Sequence, residues 1–371
     1  MIYLDSAATS LYKPEGVYWA VENAMREMAS SGRGAHAAAM RAADCCYDCR
    51  EKLARLFAVA EPERVVFTFN ATHGLNIAIR SLVRKGTRVF TTGYEHNAVV
   101  RPLRAAGAIV TAARTPLFDA AAFLSTAARE VPRADVVICC HVSNVFGFVQ
   151  PLEALAALCR RHGKPLIVDA SQSAGVLPLR FDALGADFAA MPGHKSLMGP
   201  QGTGVLLCKK DAWPLLYGGS GSSSISPDMP ELLPERLEAG TLNVTGIAGL
   251  SAALDHILEQ GTERIRSAEA ELCALLALKL SAIPGLEVFR SADADAQTGV
   301  LSVRAASLDC EAFAQALDRE GVATRAGLHC APEAHRSAGT LDTGTLRFSL
   351  SPFNTRRQIE KTAEICKKIL K

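Results

Sequence analysis

The sequence contains no apolar run that approaches the roughly 20 residues a membrane span requires, although 49% of its 371 residues are hydrophobic. It also lacks an excess of either charge, because 40 basic residues face 38 acidic ones. That balance argues against nucleic acid or an anionic membrane as a partner. Near the first residue, Asp5 stands where a signal peptide would carry positive charge, and no apolar segment follows. We therefore expect a soluble, cytoplasmic protein.

Cysteine, in contrast, is plentiful, and the eleven residues form an odd number without an export signal. This pattern favours reduced thiols over a disulfide framework. The cluster of Cys45, Cys46 and Cys49 invites a metal site. In the Ala-rich helical run around it, however, only Cys45 and Cys49 share a face. Because zinc requires four ligands and no second pair has a matching spacing, we predict no metal.

Short β-branched runs alternate with Ala- and Leu-rich helical stretches between about residues 64 and 209. The predicted strands are Arg64–Phe69, Arg88–Thr92, Ala108–Ala112, Asp135–Val142, Pro165–Ala170, Asp187–Met191 and Gly204–Cys208. Such alternation predicts an α/β fold with a mostly parallel sheet covered by helices on both faces. Ligands of these folds bind at the carboxyl ends of the strands.

The second half of the chain changes character. A Gly-, Ser- and Pro-rich segment over Tyr217–Pro234 predicts a long irregular loop of the kind that is often functional. Helical periodicity then continues to about residue 282, and a smaller α+β unit follows. The strands of this unit are predicted at Leu286–Arg290, Gly299–Arg304 and Thr345–Leu350, and its helices near Cys310–Glu320 and Arg356–Leu370. We predict a large domain over 10–254 and a small domain over 255–371, with residues 1–9 packing near the small one.

Two residues at predicted strand ends point to a cofactor. Asp169 closes an apolar run, and Lys195 follows the next strand within Pro192-Gly193-His194 and a Gly-rich sequel. A buried carboxylate at a strand end is costly unless it is paired, and a protonated pyridine nitrogen is a suitable partner. A lysine in such a turn can form a Schiff base. These are the two groups that a protein supplies to pyridoxal phosphate (PLP).

Three further segments are consistent with this cofactor but are ambiguous alone. Asn70-Ala71-Thr72 opens a helix, where free N–H groups favour a phosphate; taken alone, the segment is better explained by ordinary capping by Asn70 or Thr72. His96 follows a strand and could stack on a planar ring, or be a surface loop histidine. Asn144 ends another strand and could donate to a ring oxygen, or simply form a turn.

The combination resembles a known family over essentially the whole chain. The motifs that carry the resemblance are Tyr3-Leu4-Asp5-Ser6-Ala7-Ala8-Thr9, Gly34-Ala35-His36, Gly193-His194-Lys195, Leu237-Glu238-Ala239-Gly240-Thr241-Leu242-Asn243 and Phe353-Asn354-Thr355. Together they resemble the fold-type I PLP enzymes of the class-V aminotransferase family, and within it the cysteine desulfurases. The resemblance implies a PLP-dependent transferase and a homodimer with shared active sites.

The resemblance also implies a role for each matching residue. By it, Lys195 binds PLP, Asp169 pairs with the ring nitrogen, His96 stacks on the ring and Gln172 reaches the phenolic oxygen. The phosphate contacts are implied to be Ala71, Thr72 and His194, with Thr241 reaching the phosphate of the neighbouring subunit. Asn144 lies near the ring oxygen and the substrate, and His36 lies on the substrate side. One departure is Pro192, which stands where many desulfurases carry a hydroxyl donor to the phosphate; a proline has neither hydroxyl nor N–H.

Cys330 is the residue that would select the reaction. Its surroundings, Arg325-Ala326-Gly327-Leu328-His329-Cys330-Ala331-Pro332, are typical of a loop, and they resemble the signature of group II desulfurases and selenocysteine lyases. A thiolate is the active nucleophile, and we expect cations such as Arg325, His329 and His335 to promote its ionisation. Arg347 matches the family's substrate-carboxylate residue, whose planar fork suits a carboxylate. Arg325 is a second candidate for contact with the substrate.

The predicted reaction is the removal of sulfur from L-cysteine, giving L-alanine and a persulfide on Cys330 that passes to an acceptor, which could be a protein. Selenocysteine lyase activity, giving alanine and selenide, is the nearest alternative. A transaminase or a plain C–S lyase would instead give a keto acid or pyruvate. A catalytically idle scaffold that binds PLP and delivers sulfur by protein contact is a further alternative. Catalytic roles are therefore predicted for Lys195, Cys330 and His96.

Overall fold

A computed structural model describes residues 1–32, 34–209, 211–221 and 224–371. The chain begins with a short strand and two helices: β1 (Ile2–Tyr3), α1 (Glu15–Glu27) and α2 (Ala37–Phe57). Strands and helices then alternate in the order β2 (Val65–Thr68), α3 (Ala71–Leu82), β3 (Arg88–Thr91), α4 (Asn97–Ala105), β4 (Ile109–Ala112), α5 (Ala120–Glu130), β5 (Val136–Cys140), α6 (Leu152–Arg161), β6 (Leu166–Asp169), α7 (Phe181–Leu184), β7 (Phe188–Pro192) and β8 (Gly204–Cys208).

The rest of the chain begins with two long helices. Its elements are α8 (Val244–Gln260), α9 (Thr262–Ser281), β9 (Leu286–Phe289), β10 (Val300–Ala305), α10 (Cys310–Arg319), β11 (Val322–Ala323), β12 (Arg325–Gly327), α11 (Pro332–Ala338), β13 (Thr345–Ser349) and α12 (Arg356–Ile369). Short 3₁₀ turns lie at Pro62–Arg64, Val131–Arg133 and Ala294–Ala296. The described residues of the predicted loop over Tyr217–Pro234 contain neither helix nor strand, while residues 222 and 223 lie outside the described part.

The central sheet has the strand order β2-β8-β7-β6-β5-β3-β4. Neighbouring strands from β7 to β4 are parallel, whereas β8 runs antiparallel to both of its neighbours. The mostly parallel sheet predicted from the sequence is therefore confirmed, and each predicted strand of this region is present. Residues Val137 and Cys139 of β5 face one apolar cluster, whereas Val136 and Ile138 face another. Both faces of the sheet are thus buried, as a parallel sheet requires.

A second, antiparallel sheet follows with the order β12-β13-β10-β9. It has an apolar cluster of its own, which Ile2 and Leu4 join, because β1 pairs with β11. The predicted boundary at residue 255 falls inside the continuous helix α8, whose Ile257 packs in the first cluster. The division into 10–254 and 255–371 stays a prediction, and the packing of α8 favours a boundary near Gly261.

None of the helices in the described segments combines the length and the apolar composition that crossing a bilayer would demand. The amphipathic helices α4 and α12, for example, bury one side and expose charged residues such as Arg104 and Lys367 on the other.

Candidate active site

A cavity of about 660 Å³ opens at the carboxyl ends of the parallel strands, where an α/β sheet places its ligands. Its walls come from the ends of β5, β6 and β7 and from the first residues of α3 and α4. The lining residues are Asn70, Ala71, Thr72, His96, Ala98, Cys140, Val142, Asn144, Asp169, Ser171, Gln172, Pro192, His194 and Lys195. The structure therefore brings together eight residues that were predicted for the cofactor site: Ala71, Thr72, His96, Asn144, Asp169, Gln172, His194 and Lys195.

Asp169 is the last residue of β6 and is only 4% exposed. One carboxylate oxygen accepts the backbone N–H of Ser171 at 3.0 Å. No ion pair to Asp169 is formed by the described residues, so its charge is incompletely compensated in a buried position. A carboxylate of this kind is well suited to a cationic ring nitrogen, because an unpaired buried charge is costly.

Lys195 lies in the turn that follows β7. The turn is tight, since Gly193 donates to Thr203 O at 2.9 Å and a Cβ atom at Gly193 would overlap the Thr203 hydroxyl. Burial lowers the pKa of Lys195 to about 8, and the Arg347 charge acts in the same direction, while Asp169 opposes both. An appreciable fraction of neutral amine is therefore present near neutral pH, which is the form that attacks a carbonyl.

The first turn of α3 lines the end of the cavity that is suited to a phosphate. Asn70 caps the helix by accepting the N–H of His73 at 2.9 Å. The N–H groups of Ala71 and Thr72 find no acceptor within the described segments, so they remain available to an anion at the positive end of the helix dipole. The His194 ring lies beside them, with Nδ1 at 3.0 Å from the Thr9 hydroxyl.

His96 caps α4 with its ring. Its Nδ1 accepts the N–H of Ala98 at 3.0 Å, so the ring proton is on Nε2. Burial lowers the pKa of His96, and the ring is neutral at physiological pH. A neutral ring beside Asp169 and Lys195 is compatible with stacking on a planar cofactor, and that role stays a prediction.

Two amides at the cavity wall already have partners. Gln172 donates to the carbonyl oxygen of Ala7 at 3.0 Å, and Asn144 donates to the carbonyl oxygen of His329 at 2.8 Å. The side-chain oxygen of Asn144 is buried and has no hydrogen-bond partner among the described residues. Each amide nitrogen carries two protons, so one proton of each is still free for a ring oxygen.

Cys330 lies at the rim of the cavity and is exposed. Its backbone oxygen accepts the N–H of Asn97, the first residue of α4, at 2.7 Å. Together with the contact between Asn144 and His329, this bond fastens the cysteine loop to the cavity. The guanidinium of Arg325 donates to the Cys330 sulfur at 3.9 Å. The structure thus places Arg325, one of the cations predicted to lie near Cys330, beside the sulfur atom.

The prediction that His329 and His335 are cations that assist Cys330 is wrong. Both side chains are buried. Burial, aided by the Arg347 charge, lowers the pKa of His329 to about 2, and burial lowers that of His335 to about 4. Their rings bond within the small sheet region, to Thr345 O and the Thr340 hydroxyl respectively. They are therefore neutral structural residues.

Arg347 is 1% exposed and stands directly opposite Arg325 on the paired strands β12 and β13. It donates to Asp5 at 2.7 Å and to the carbonyl oxygen of Asn144 at 2.9 Å. Its Nε atom is buried and has no hydrogen-bond partner among the described residues. Two of its five N–H donors thus hold the guanidinium in place, and the unpartnered Nε–H could receive part of a carboxylate.

Besides Cys330, Arg325 and Arg347, two further predicted site residues are absent from the lining of this cavity. His36 is an exposed residue at the N-terminus of α2. Thr241 is also exposed and borders a separate pocket with Phe69 and His73. Within a single chain neither residue reaches the cavity, and their roles stay predictions. The Cys45 cluster lies in α2, with Cys46 and Cys49 buried.

The first thirteen residues contain site contacts that sequence reasoning missed. Asp5 holds Arg347, Thr9 bonds to the His194 ring, and Lys13 donates to the Gly199 carbonyl at 2.8 Å. The motif around Asp5 signalled membership of a family but gave no indication of these partners, because they lie more than 180 residues away in sequence. Cys140, which lines the cavity beside Asp169, was predicted only as a strand residue.

Comparison with known proteins shows to which family the chain belongs. The family model described as aminotransferase class-V matches residues 2–362. The chain belongs to the class-V aminotransferase family. The resemblance predicted from the motifs is confirmed, and so is the fold class of a fold-type I enzyme.

Relatives and solved structures of this class-V family member carry one recurrent name. A probable cysteine desulfurase of Methanothermobacter thermautotrophicus is 34% identical over 99% of this chain and 94% of its own length. The apo structure of a cysteine desulfurase from Thermococcus onnurineus has a TM-score of 0.91 at 28% identity, covering 100% of this chain and 94% of that one. The cysteine desulfurase CsdA of Escherichia coli has a TM-score of 0.87 at 29% identity, covering 99% and 94%.

Proposed function

We propose that this protein is a PLP-dependent cysteine desulfurase of the group II type. It converts L-cysteine into L-alanine and keeps the sulfur as a persulfide on Cys330. One observation carries the proposal: an exposed cysteine beside an arginine is fastened by two hydrogen bonds to the rim of a cavity that contains Lys195 and Asp169. The names of the relatives support the same reaction.

The cavity residues provide the groups that PLP requires. Lys195 would bind the cofactor covalently, Asp169 would pair with its ring nitrogen and His96 would cover the ring. The N–H groups of Ala71 and Thr72, together with His194, would hold the phosphate, and Gln172 and Asn144 would donate to the ring oxygen. When bound, PLP supplies an electron sink for chemistry at the substrate Cα. Pro192 offers no donor, which costs about 1.5–3 kcal/mol of phosphate binding; the covalent bond to Lys195 keeps the cofactor in place.

The substrate carboxylate binds at the pair of arginines. Arg347 offers its unused Nε donor, and Arg325 adds positive charge from the neighbouring strand. His36 lies on the substrate side in the resemblance and contributes through the assembled dimer. The neutral amine of Lys195 would act as the base that takes the Cα proton; its lowered pKa suits a base that operates near neutral pH.

Sulfur transfer follows from the position of Cys330. Its thiolate attacks the sulfur of the substrate, so that an S–S bond forms while the C–S bond of the substrate breaks. The electron pair of the broken bond stays with the substrate Cβ, which takes a proton from Lys195 or His96. Lys195 then returns the proton to Cα, and alanine leaves. The overall change is L-cysteine plus a thiol to L-alanine plus a persulfide, and no external oxidant or reductant is required.

The functional unit is a homodimer in the cytoplasm. In this arrangement Thr241 of the partner subunit reaches the phosphate, consistent with its exposure in the single chain. Large apolar side chains lie exposed on the first two helices, among them Trp19 at 69% and Met25 at 73%, and burying them in a dimer is favourable. Eleven free thiols are suited to a reducing compartment.

Product analysis tests the proposal directly. The wild-type protein, loaded with PLP, should convert cysteine into alanine and release sulfide when a thiol reductant is present. Cys330→Ala should keep the visible absorbance of the bound cofactor and lose alanine formation. Cys310→Ala, which changes a half-buried thiol outside the cavity, serves as the matched control and should retain activity.

The same assay separates the alternatives. Pyruvate or a keto acid in place of alanine would establish a C–S lyase or a transaminase. Selenocysteine is cleaved more easily because selenolate is the better leaving group, so activity of Cys330→Ala on selenocysteine alone would favour the lyase. Undiminished sulfur release by Cys330→Ala would refute the persulfide assignment.

A further inference from the structure

The strand β4 is an unusual edge of the central sheet. It is the last strand in the order of the seven-stranded sheet, and two of its apolar side chains are largely exposed, Ile109 at 59% and Val110 at 46%. The other parallel strands of the sheet are almost entirely buried. An exposed apolar edge strand can pair with another chain, and proteins normally cover or charge such edges. This edge is therefore a candidate binding surface.

The backbone of β4 has free hydrogen-bonding groups on its outer side. Ile109 and Ala113 donate inward, to Thr87 O and Thr91 O respectively, both at 2.9 Å. Since successive residues of an extended strand direct their backbone groups to opposite edges, those of Val110 and Ala112 point outward. No strand of the described chain pairs with that edge.

A groove of about 890 Å³ runs between β4 and helix α4. Its walls are mainly apolar and combine the outward side of β4 with one side of the helix. The apolar lining residues are Val99, Val100, Leu103, Ala108, Val110 and Ala112. An extended segment that pairs with β4 could insert alternate side chains into this groove.

The groove is bordered by positive charge. Arg101, Arg104 and Arg114 are exposed, and none of them forms an ion pair with a carboxylate of the described residues. The two acidic residues of the lining are already engaged: Glu95 accepts bonds from Thr92 and Gly93, and Glu333 pairs with Arg336. A complementary segment would therefore carry acidic side chains.

The groove is connected to the Cys330 loop through Glu333 and helix α4. Glu333, three residues after Cys330, belongs to α11 and lines the groove. Asn97, which holds the Cys330 carbonyl at 2.7 Å, is the first residue of the helix that forms its wall. A protein bound along β4 would thus reach the rim of the active site.

We propose that the groove between β4 and α4 docks the protein that accepts sulfur, through an extended acidic segment that adds to the free edge of β4. This inference rests on the proposed desulfurase function. Addition of a strand to an exposed sheet edge is an established mode of recognition, in which main-chain bonds give affinity and alternate side chains give specificity.

Sulfur transfer at this surface is an exchange between thiols. The acceptor thiolate attacks the outer sulfur of the Cys330 persulfide, forming a new S–S bond. The S–S bond to Cys330 breaks, and Cys330 leaves as a thiolate. The acceptor becomes the persulfide, and no net oxidation or reduction occurs.

Binding of a synthetic probe tests the surface. The probe is a blocked peptide, labelled with a fluorophore, in which valine alternates with glutamate; its binding to the PLP-loaded protein is followed by fluorescence anisotropy. Val110→Pro removes an outward N–H without touching the bonds to β3, since a proline is tolerated on the open side of an edge strand. Val110→Thr keeps that N–H and is the matched control.

Charge-reversal variants provide a second, independent test of the same surface. Reversal at Arg104→Glu and Arg114→Glu should weaken binding, whereas reversal at Arg319→Glu and Arg357→Glu, exposed on the small sheet's helices, should not. We expect Val110→Pro and the groove reversal each to weaken binding about tenfold, or about 1.4 kcal/mol. A peptide with lysine in place of glutamate should not bind. Equal binding by all variants, or no binding by the wild type, would overturn the proposal.

Turnover is measured on the same proteins with dithiothreitol as the acceptor. The groove variants should form alanine at the wild-type rate, because a small thiol needs no docking surface. A wild-type protein that binds the peptide but forms no alanine would refute the desulfurase function while supporting the groove, so the two claims fail separately.

Discussion

At the scale of single residues, the character of the site comes from charges held in buried positions. Lys195 is surrounded by Asp169 on one side and by Arg347 and Arg325 on the other. Desolvation exceeds the attraction of Asp169, and the pKa falls to about 8. Burial of an ordinary structural lysine would lower the stability of the fold. At Lys195 it increases the fraction of neutral amine.

This pKa predicts how the protein without cofactor takes up PLP. Because only the neutral amine reacts, the rate of covalent attachment at Lys195 should rise with pH up to about 8 and then level off. Stopped-flow absorbance over a pH series measures it, with Lys195→Ala as the control that should show no attachment. A rate that still climbs near pH 10, as for an exposed lysine with a pKa of about 10.4, would contradict the account.

The sequence predicted the residues proposed for the chemistry better than the residues that hold them in position. Lys195, Asp169 and Cys330 stand in Gly- and Pro-rich or strand-end contexts that are visible locally. The ion pair of Asp5 with Arg347 joins residues at opposite ends of the chain, and no local pattern reports it. The charge state of His329 was mispredicted because burial, which lowers its pKa, depends on packing that a loop-like sequence conceals.

At the scale of elements, α9 contains a carboxyl group that neither the fold nor the reaction explains. Glu269 is 7% exposed and borders a cavity that Lys195 and Gln172 also line. It has no hydrogen-bond or ion-pair partner among the described residues. Burial raises its pKa to about 8, so it is mostly protonated at neutral pH. Cys273, one turn later, is also kept neutral by burial.

Glu269 should make α9 sensitive to pH. The folded-state pKa of Glu269, about 8, lies above the ordinary value of 4.5. Its contribution to the free energy of unfolding is therefore fully present below about pH 4.5 and is lost as the pH rises through 8. Each pKa unit corresponds to about 1.4 kcal/mol. Glu269→Gln should therefore be more stable than wild type at pH 8 by a few kcal/mol and similar to it at acidic pH.

Urea unfolding of both proteins at pH 5 and pH 8 checks this expectation. Glu271→Gln is the matched control, since Glu271 is exposed on the same helix and its replacement should leave the pH dependence unchanged. If the Glu269→Gln and wild-type curves keep the same separation at both pH values, Glu269 is not buried in the form described.

Among the elements, strands and long helices were predictable because their apolar periodicity reflects burial. Element ends were less so: the strand predicted over Asp135–Val142 is shorter in the structure, where β5 spans Val136–Cys140. The domain boundary was predicted inside α8, because this continuous helix carries no break in composition near residue 255.

At the scale of the whole molecule, the first thirteen residues connect the two sheets. β1 pairs with β11 and Asp5 binds Arg347 in the small unit, while Thr9 and Lys13 contact the turn that carries Lys195. The loop of Cys330 is joined to α4 and Asn144 in the same manner. The turn of Lys195 and the loop of Cys330 are therefore held in place by contacts between residues that are distant in sequence.

The central claim is that the general chemistry of Lys195 and Asp169 is directed to sulfur transfer by Cys330. Mass spectrometry after a single turnover tests it most directly: the PLP-loaded protein is mixed with L-cysteine without any acceptor, quenched, and digested under conditions that preserve persulfides. The account predicts one alanine per subunit and the added mass of one sulfur atom on the Cys330 peptide. Alanine formed with an unmodified Cys330, or sulfur found on another cysteine, would contradict it.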